Sequence, residues 1–363
     1  MLKIAFAGIT DSFDFDYVGG ASSVIRRIAI ALVETGNQID FVQYGTASDN
    51  EFDIRKNFKQ RNFMTFDGFL NGLKENYDHI VYIYIKPSER VKFANFRNVC
   101  PQHTVFHQIY LHWNESWLKR QLYFVERRLF PFNGRLFCVS PRIYNYVAKW
   151  SDKATLLLPS VPESYFLSPS EKSNSSKLRI AYLGRVDPGK GTMEAVEVIE
   201  YLRSLPNIQS KICGFSWPRL PDTVNLEKKL LANKNIRYEI IKPDKWTEKI
   251  DDNLRNLLRE TDILLLPYKK LSSTIDVPLL LLEAMASLCA VISTPLGDIP
   301  DLYGHSYFSL SEKWDSEFVI DMIKKSAEHL PAERERLCQQ NQKLNFSTSN
   351  IANIFRDALV GNI

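Results

Sequence analysis

The sequence predicts an α/β protein made of two doubly wound domains. Short apolar runs alternate with stretches of helical spacing along the chain, the pattern of parallel sheets covered on both faces. The alternation breaks once, over Ser160 to Lys177. There Pro162 and Pro169 with Ser168, Ser170, Ser173, Ser175 and Ser176 read as a hinge. A length of 363 residues is too great for one ordinary core and suits two.

Taken in order, Lys3 to Ala7 reads as a strand, followed by a loop with Gly19-Gly20, a helix over Ser22 to Thr35 and a strand over Gln38 to Tyr44. That is a βαβ unit. Further strands are expected at His79 to Ile85, Thr104 to Gln108 and Arg135 to Val139, with helical segments between them. After the hinge the pattern restarts with strands at Leu178 to Leu183, Gln209 to Gly214 and Ile236 to Ile241. A helix over Asn253 to Arg259, a strand over Asp262 to Pro267, a helix over Pro278 to Ser287 and a strand over Ala290 to Ser293 follow, then two terminal helices. Two such Rossmann-like domains would bind ligands in a cleft at the carboxyl ends of their strands.

Composition narrows the function classes. Hydrophobic content of 45% and charged content of 24% are those of a soluble globular protein. A net charge of +4 gives no whole-molecule reason to expect nucleic acid. Cys100, Cys138, Cys213, Cys289 and Cys338 are scattered without a C-x-x-C pair, which fits reduced thiols in a cytoplasmic compartment better than disulfides or zinc. Residues 1–9 read as a first strand and not as a leader, and no apolar run reaches 18 residues.

The most informative segment is Gly184-Arg-Val-Asp-Pro-Gly-Lys-Gly191. It lies between the strand Ile180 to Leu183 and a helix whose apolar spacing is Ala195, Val196, Val198, Ile199 and Leu202. Strand, glycine-bearing loop and helix aim backbone N–H groups and the positive helix end at an anion. The loop spells G-x-x-x-x-G-K, the first seven positions of a Walker A motif. The next position should hold a magnesium-binding hydroxyl, but it is Gly191, with Thr192 one residue late. The alternative is a cation pair, Arg185 and Lys190, gripping a diphosphate without metal through charge-assisted contacts of roughly 1.5–3 kcal/mol each. The bland reading is a surface turn with two solvated cations. Asp14-Phe-Asp16 has the spacing of a metal-binding Asp-x-Asp, but it falls just after the first strand and reads as a loop feature.

Between Trp113 and Phe130 the chain reads as a helix with two apolar faces. Leu118, Leu122, Val125 and Leu129 fall in one stripe, expected to pack on the sheet. Trp113, Trp117 and Phe124, flanked by Arg120, Arg127 and Arg128, fall almost opposite and suit an anionic lipid surface. Residues 101–150 hold seven Lys and Arg against Glu115 and Glu126, a local net charge of +5. The other reading packs these tryptophans on a neighbouring helix or along the cleft.

Taken together, these motifs resemble the retaining GT-B glycosyltransferases of family 4. The resemblance covers nearly the whole chain and is strongest over Pro278-Leu-Leu-Leu-Leu-Glu-Ala-Met-Ala-Ser-Leu-Cys-Ala-Val-Ile-Ser-Thr-Pro-Leu-Gly-Asp-Ile-Pro300. Gly184-Arg185 with Lys190-Gly191, Gly19-Gly20 and Phe137-Cys-Val-Ser140 match further family positions. The resemblance implies an acceptor domain over 1–165, with a terminal helix at 347–363 packing back on it, and a donor domain over 166–346. It implies transfer of a sugar from a UDP- or GDP-sugar to a glycan or lipid-linked acceptor with retention and without a metal or other cofactor. Nucleic acid is not an expected partner, and the location expected is cytoplasmic, peripheral at the inner membrane face.

It further implies that Arg185 and Lys190 bind the diphosphate, that Glu283 accepts the ribose hydroxyls and that Gly19 and Gly20 allow close approach to phosphate and sugar. His107, read as a strand end, resembles the donor-sugar histidine. The family's second glutamate would fall at Ile275. Its place could be taken by Asp276 and the hydroxyl-rich loop with Ser273 and Thr274. The base pocket would be formed by the loops after Gly214 and near Ile241. A P-loop nucleotide-binding protein and a non-catalytic GT-B subunit are the alternatives; a nucleotide-sugar epimerase fits Glu-Ala-Met-Ala less well.

Overall fold

The computed structural model describes residues 1–10, 15–16, 18–129, 133–172, 175–216, 221–233, 238–242 and 246–361. Asp14, Phe130, Ser173 and Ile236, named in the sequence expectations, lie outside the described residues. The chain divides into two units, Met1–Ser160 with Thr348–Ile363, and Val161–Ser347.

The first unit opens with β1 (Lys3–Ile9), α1 (Gly20–Glu34) and β2 (Gln38–Tyr44). Next come β3 (Asn50–Arg55), β4 (Phe58–Phe63), α2 (Phe66–Gly72), β5 (His79–Tyr82), α3 (Arg90–Val99), β6 (Val105–Tyr110), α4 (Trp117–Leu129), β7 (Leu136–Cys138), α5 (Pro141–Val147) and β8 (Ala154–Leu156). Its sheet runs β3-β4-β2-β1-β5-β6-β7-β8. All pairs are parallel except β3 with β4, a short hairpin that adds an antiparallel edge. Strand order reverses between β1 and β5, the place where open α/β sheets form a ligand crevice. One sheet face buries Ala5, Ala7, Val42, Tyr44, Ile80 and Phe106 against Phe69, Phe93 and Phe96. On the other face Phe6 and Phe137 pack on Phe355, with ring centroids 5.8 and 4.5 Å away.

The second unit contains β9 (Leu178–Arg185), α6 (Thr192–Leu202), β10 (Ile208–Phe215), α7 (Pro221–Ala232), β11 (Tyr238–Ile241), α8 (Glu248–Arg259), β12 (Ile263–Leu266), α9 (Leu279–Ala286), β13 (Ala290–Ser293), α10 (Ile299–Tyr303), α11 (Ser316–Lys324) and α12 (Leu330–Leu344). Its all-parallel sheet has the order β11-β10-β9-β12-β13, with the reversal between β9 and β12. The last helix, α13 (Thr348–Leu359), belongs to the first unit and packs on α1. Ile351, Phe355 and Leu359 of α13 recur at helical spacing and are buried, as are Val24, Ile28 and Leu32 of α1.

The segment read as a hinge begins where the chain passes from the first unit to the second, and part of it packs into the second unit. Tyr165, Leu167 and Lys172 are all buried. The Leu167 N–H donates to the Ala286 carbonyl at 3.0 Å. The Lys172 ammonium donates to the carbonyls of Leu258 at 2.9 Å and Ser287 at 2.8 Å, which justifies burying a cation there. Serine and proline content signalled irregular backbone, not exposure. No helix among the described residues is long and apolar enough to cross a membrane.

Candidate functional site

In the second unit, the loops after β9 and β12 flank the point where strand order reverses, and a network of contacts joins them. Arg185 ends β9, and its guanidinium donates to the Asp187 carboxylate (Nε to Oδ2, 3.1 Å) and to the Ser273 carbonyl at 3.4 Å. The other carboxylate oxygen of Asp187 accepts from the Gly189 N–H at 2.7 Å, which folds Pro188–Lys190 into a single tight turn. The Lys269 N–H donates to the Gly189 carbonyl at 3.0 Å, and the Lys269 ammonium pairs with Glu194. A side chain at Gly189 would lie 2.0 Å from Ser273 Oγ. Gly191 has φ of +72° and would place a Cβ 1.8 Å from the Pro267 carbonyl oxygen. Only glycine fits a left-handed position pressed against backbone in this way.

That constraint decides against the Walker A geometry. The position where a P-loop carries its magnesium-facing hydroxyl cannot accept any side chain. Thr192 begins α6 with its hydroxyl turned inward, 2.9 Å from the Tyr182 hydroxyl and donating to the Asp187 carbonyl at 3.1 Å. The fully buried Thr192 therefore holds the loop onto β9.

Lys190 is partly buried, its ammonium 4.7 Å from the centre of the Tyr268 ring. Burial first, and the neighbouring Arg185 second, push its pKa down to about 7, with Asp187 opposing. Tyr268 in turn has its hydroxyl pKa pushed up by burial, then by Tyr182 and by Glu283. Tyr268 was not expected as a site residue; its only sequence signal was its place at the end of an apolar strand. Glu283 lies on α9 and is 2% exposed, and Asp276 in the preceding loop is likewise 2% exposed. Ile275 is a core side chain, so the position expected to hold an acid is turned into the apolar interior. The structure thus brings Gly184, Arg185, Lys190 and Ser273 together on two adjacent strand ends. Thr274 is half-buried one residue further on.

In the first unit, Gly19 is extended and caps α1, and Gly20 is its exposed first residue. No acid occupies the first turn of α1 and no side chain caps it. Beside this helix start is a cavity of about 470 Å³, lined by Ala21, the ends of β5 and β6, and the inner faces of α4 and α5. Within the segment read as a loop feature, Phe15 is packed edge-on against Phe41 and Phe58, with centroids at 6.1 and 5.3 Å.

His107 does not end a strand. It is the third residue of β6, 1% exposed, on the face that carries Phe137. Its Nδ1 accepts the Arg135 N–H at 2.9 Å, which leaves the proton on Nε2 to donate to His79 Nδ1 at 3.1 Å. Burial, then His79 and Arg135, hold its pKa well below the ordinary value. It is a neutral core histidine, and the donor-sugar role expected for it is withdrawn. His112, just beyond β6, is exposed and lines the cavity. It was overlooked because the strand runs two residues longer than its apolar content suggested.

The helix faces of α4 are the reverse of those expected. The stripe assigned to the sheet is in solvent: Leu118 is 66% exposed, Leu122 65%, Val125 48% and Leu129 67%. Trp117, placed with the opposite face, is 61% exposed beside them. Of the aromatic and basic set, Trp113 in the loop before α4 and Phe124 and Arg127 on it are turned inward. Trp113 meets Tyr146 edge-on at 5.6 Å and lies beneath Arg120 and Arg142, at 5.0 and 4.8 Å. Phe124 meets Trp150 at 6.4 Å and is covered by the exposed Arg128. Arg127 is buried and donates to the hydroxyls of Tyr82 at 2.9 Å and Tyr110 at 3.1 Å. The physical reason is the wall that α4 meets, which offers tyrosine hydroxyls and aromatic faces suited to guanidinium groups instead of an apolar surface.

Fold and loop together define a two-unit α/β protein with the cations Arg185 and Lys190 in a glycine-bearing loop at the strand-order reversal of its second sheet. Residues 166–343 match the family model described as Glycosyl transferases group 1, so the second unit belongs to that family. The chain is a glycosyltransferase of GT-B type. Sucrose-phosphate synthase from Thermosynechococcus elongatus is similar over 99% of this chain and 100% of its own, at 15% identity and a TM-score of 0.70. HepE of Anabaena, solved with UDP-glucose, is similar over the same shares at 12% identity and a TM-score of 0.70. WaaG, a glycosyltransferase involved in lipopolysaccharide biosynthesis, matches over 99% and 100% at 16% identity and a TM-score of 0.62. At these identities the likeness is one of fold. No curated protein matches the sequence.

Proposed function

We propose that the chain is a retaining, metal-independent glycosyltransferase that moves a sugar from a nucleoside-diphosphate sugar to a glycan or lipid-linked acceptor. The observation that carries this reading is Lys190, a partly buried lysine whose pKa is depressed beside Arg185, in a loop built to leave it there. A cation held at such a cost gains most from a multiply charged anion. A diphosphate placed against Arg185, Lys190 and the start of α6 would restore the lysine's proton. It would also find its charge matched as the sugar–phosphate bond breaks. Stabilising charge that develops on a leaving group is where enzymes gain most of their rate. Glu283 would accept the two ribose hydroxyls, since a carboxylate takes both O–H donors. Asp276, Ser273 and Thr274 would hold the sugar.

On this reading Val161–Ser347 is the donor unit and Met1–Ser160 with Thr348–Ile363 the acceptor unit, with Gly19 and Gly20 admitting the reacting sugar. UDP-glucose in HepE supports a UDP-sugar as the first donor to try, with GDP-sugars second. Peripheral attachment to an anionic membrane is supported by the outer face of α4, where Trp117, Leu118, Leu122, Val125 and Leu129 are exposed. Each such side chain yields about 1.5–3 kcal/mol when fully buried. Lys119 and Arg128 on the same helix are exposed and add attraction to anionic headgroups.

A thermal-shift panel of UDP, GDP, ADP and their sugars, each with and without EDTA, tests the donor assignment. A ligand at a hundredfold excess over its dissociation constant stabilises by about 2.7 kcal/mol, so the right nucleotide raises the melting temperature. Product anomers read by NMR then decide retention. A melting temperature unmoved by every nucleotide refutes the site.

A further inference from the structure

The cavity of the first unit has a charge imbalance that the donor chemistry does not use. Its wall carries four guanidiniums, from Arg90, Arg97, Arg120 and Arg127, against one carboxylate, Glu126. That carboxylate is already paired with Arg90 at 3.3 Å. Arg97 feels the excess: burial lowers its pKa and nearby Arg127 lowers it further, while Tyr82 opposes. Holding several cations in a confined, aromatic space is costly, by several kcal/mol per ion where desolvation is complete. The rest of the wall is suited to a polar ligand. Tyr82 and Tyr110 present hydroxyls oriented by Arg127, and Trp113, Tyr123, Tyr146 and Trp150 present ring faces.

We propose that this cavity binds a phosphate or diphosphate ester, and that the acceptor of the transfer is therefore a phosphorylated molecule. Four guanidiniums less one carboxylate leave a formal +3 to be matched. A carboxylate supplies one negative charge, whereas a phosphate ester supplies about −1.5 to −2 and a diphosphate more. Guanidinium forks also fit the tetrahedral oxygens of phosphate in pairs. The identification of the ligand as the acceptor rests on the proposed transferase function; the anion site itself does not. The phosphate could belong to a lipid-linked molecule or to a water-soluble sugar phosphate. The lipid source is favoured because the helix that gives Arg120, Tyr123 and Arg127 to the cavity wall exposes its apolar stripe on its other side.

The test uses the full chain with both donor cations removed (R185A with K190A), titrated calorimetrically with inorganic pyrophosphate. One binding site is expected, weakening as salt rises, and weakened tenfold or more when Arg97→Gln is added. In parallel, phenylglyoxal labelling of the unaltered chain, read by mass spectrometry, needs no variant. Pyrophosphate is expected to protect Arg97 and Arg120 while leaving Arg203 and Arg255 of the second unit labelled as before. No heat of binding in the donor-cation variant, or no protection of Arg97 and Arg120, overturns the proposal even if sugar transfer is demonstrated. Conversely, pyrophosphate binding with transfer only to acceptors that carry no phosphate upholds the anion site and overturns the identification of its ligand as the acceptor. For the source, geranyl monophosphate and glucose 6-phosphate, two monoesters of equal charge, are compared. A tighter site for the prenyl ester that is lost in Leu122→Ser supports the lipid source; equal affinities overturn that part.

Discussion

The depressed pKa of Lys190 makes the donor loop a proton-linked site. Its ammonium titrates at about 7 in the folded chain, against 10.5 for an ordinary lysine. Between those values the unfolded chain binds a proton that the folded chain does not, so ligand-free stability rises with pH, by up to about 1.4 kcal/mol per unit. The destabilisation is fully present below pH 7 and is gone above 10.5, a ceiling on the order of 5 kcal/mol. A bound nucleoside diphosphate reverses the shift, so binding above pH 7 must take up a proton. At pH 8 about nine-tenths of Lys190 is neutral if its pKa is about 7. The terminal phosphate of the free nucleotide, with a pKa of about 6, is already ionised at that pH. Calorimetry at pH 8 in two buffers of different ionisation enthalpy should therefore report uptake of close to one proton. Affinity should fall by up to tenfold between pH 8 and 9, and Lys190→Met should abolish both effects. No proton uptake by the unaltered chain, or equal uptake by Lys190→Met, refutes the electrostatic reading of the loop.

Gly191→Ser would complete the Walker A spelling, yet it places a side chain against the Pro267 carbonyl at a φ of +72°. It should cost at least about 1–3 kcal/mol in a denaturant melt and confer no magnesium-dependent ATP affinity; gain of such affinity would revive the P-loop reading. Leu122→Ser with Val125→Ser should abolish flotation with anionic vesicles while leaving the melting temperature within a degree or two, because both side chains are exposed. Trp113→Ala should instead destabilise, and the opposite pattern would restore the first assignment of the faces. His107→Ala should cost about 2–4 kcal/mol through a lost core contact and an unpaired His79. Its effect on KM for the nucleotide sugar should be small, and a large KM effect without destabilisation would reinstate it as a ligand.

What was legible in the sequence, and what was not, follows from the range of the forces involved. Parallel strands buried on both faces read as apolar runs, and β13 was located to the residue for that reason; β2 was located too, although the buried Asp40 and Gln43 interrupt its run. The β3–β4 hairpin escaped because β3 is an edge strand with exposed polar residues and no alternation to read. The donor loop was legible because its chemistry is local: two cations and the glycines that let them be held lie within eight residues. Tyr268 was not, since its place beside Lys190 depends on the adjacency of β9 and β12. The faces of α4 were misassigned because periodicity finds stripes without saying which one faces inward. The wall of tyrosines that draws Arg127 inward comes from strands up to 45 residues away in sequence.

The most direct test of the donor assignment is release of nucleoside diphosphate from a panel of nucleotide sugars, by the unaltered chain and by Arg185→Ala with Lys190→Ala. One donor, UDP-linked or GDP-linked, should be turned over in the presence of EDTA, and the double variant should lose at least a thousandfold of that rate. Equal turnover by the variant, or turnover that requires added magnesium, would contradict a departing nucleotide stabilised by this pair of cations.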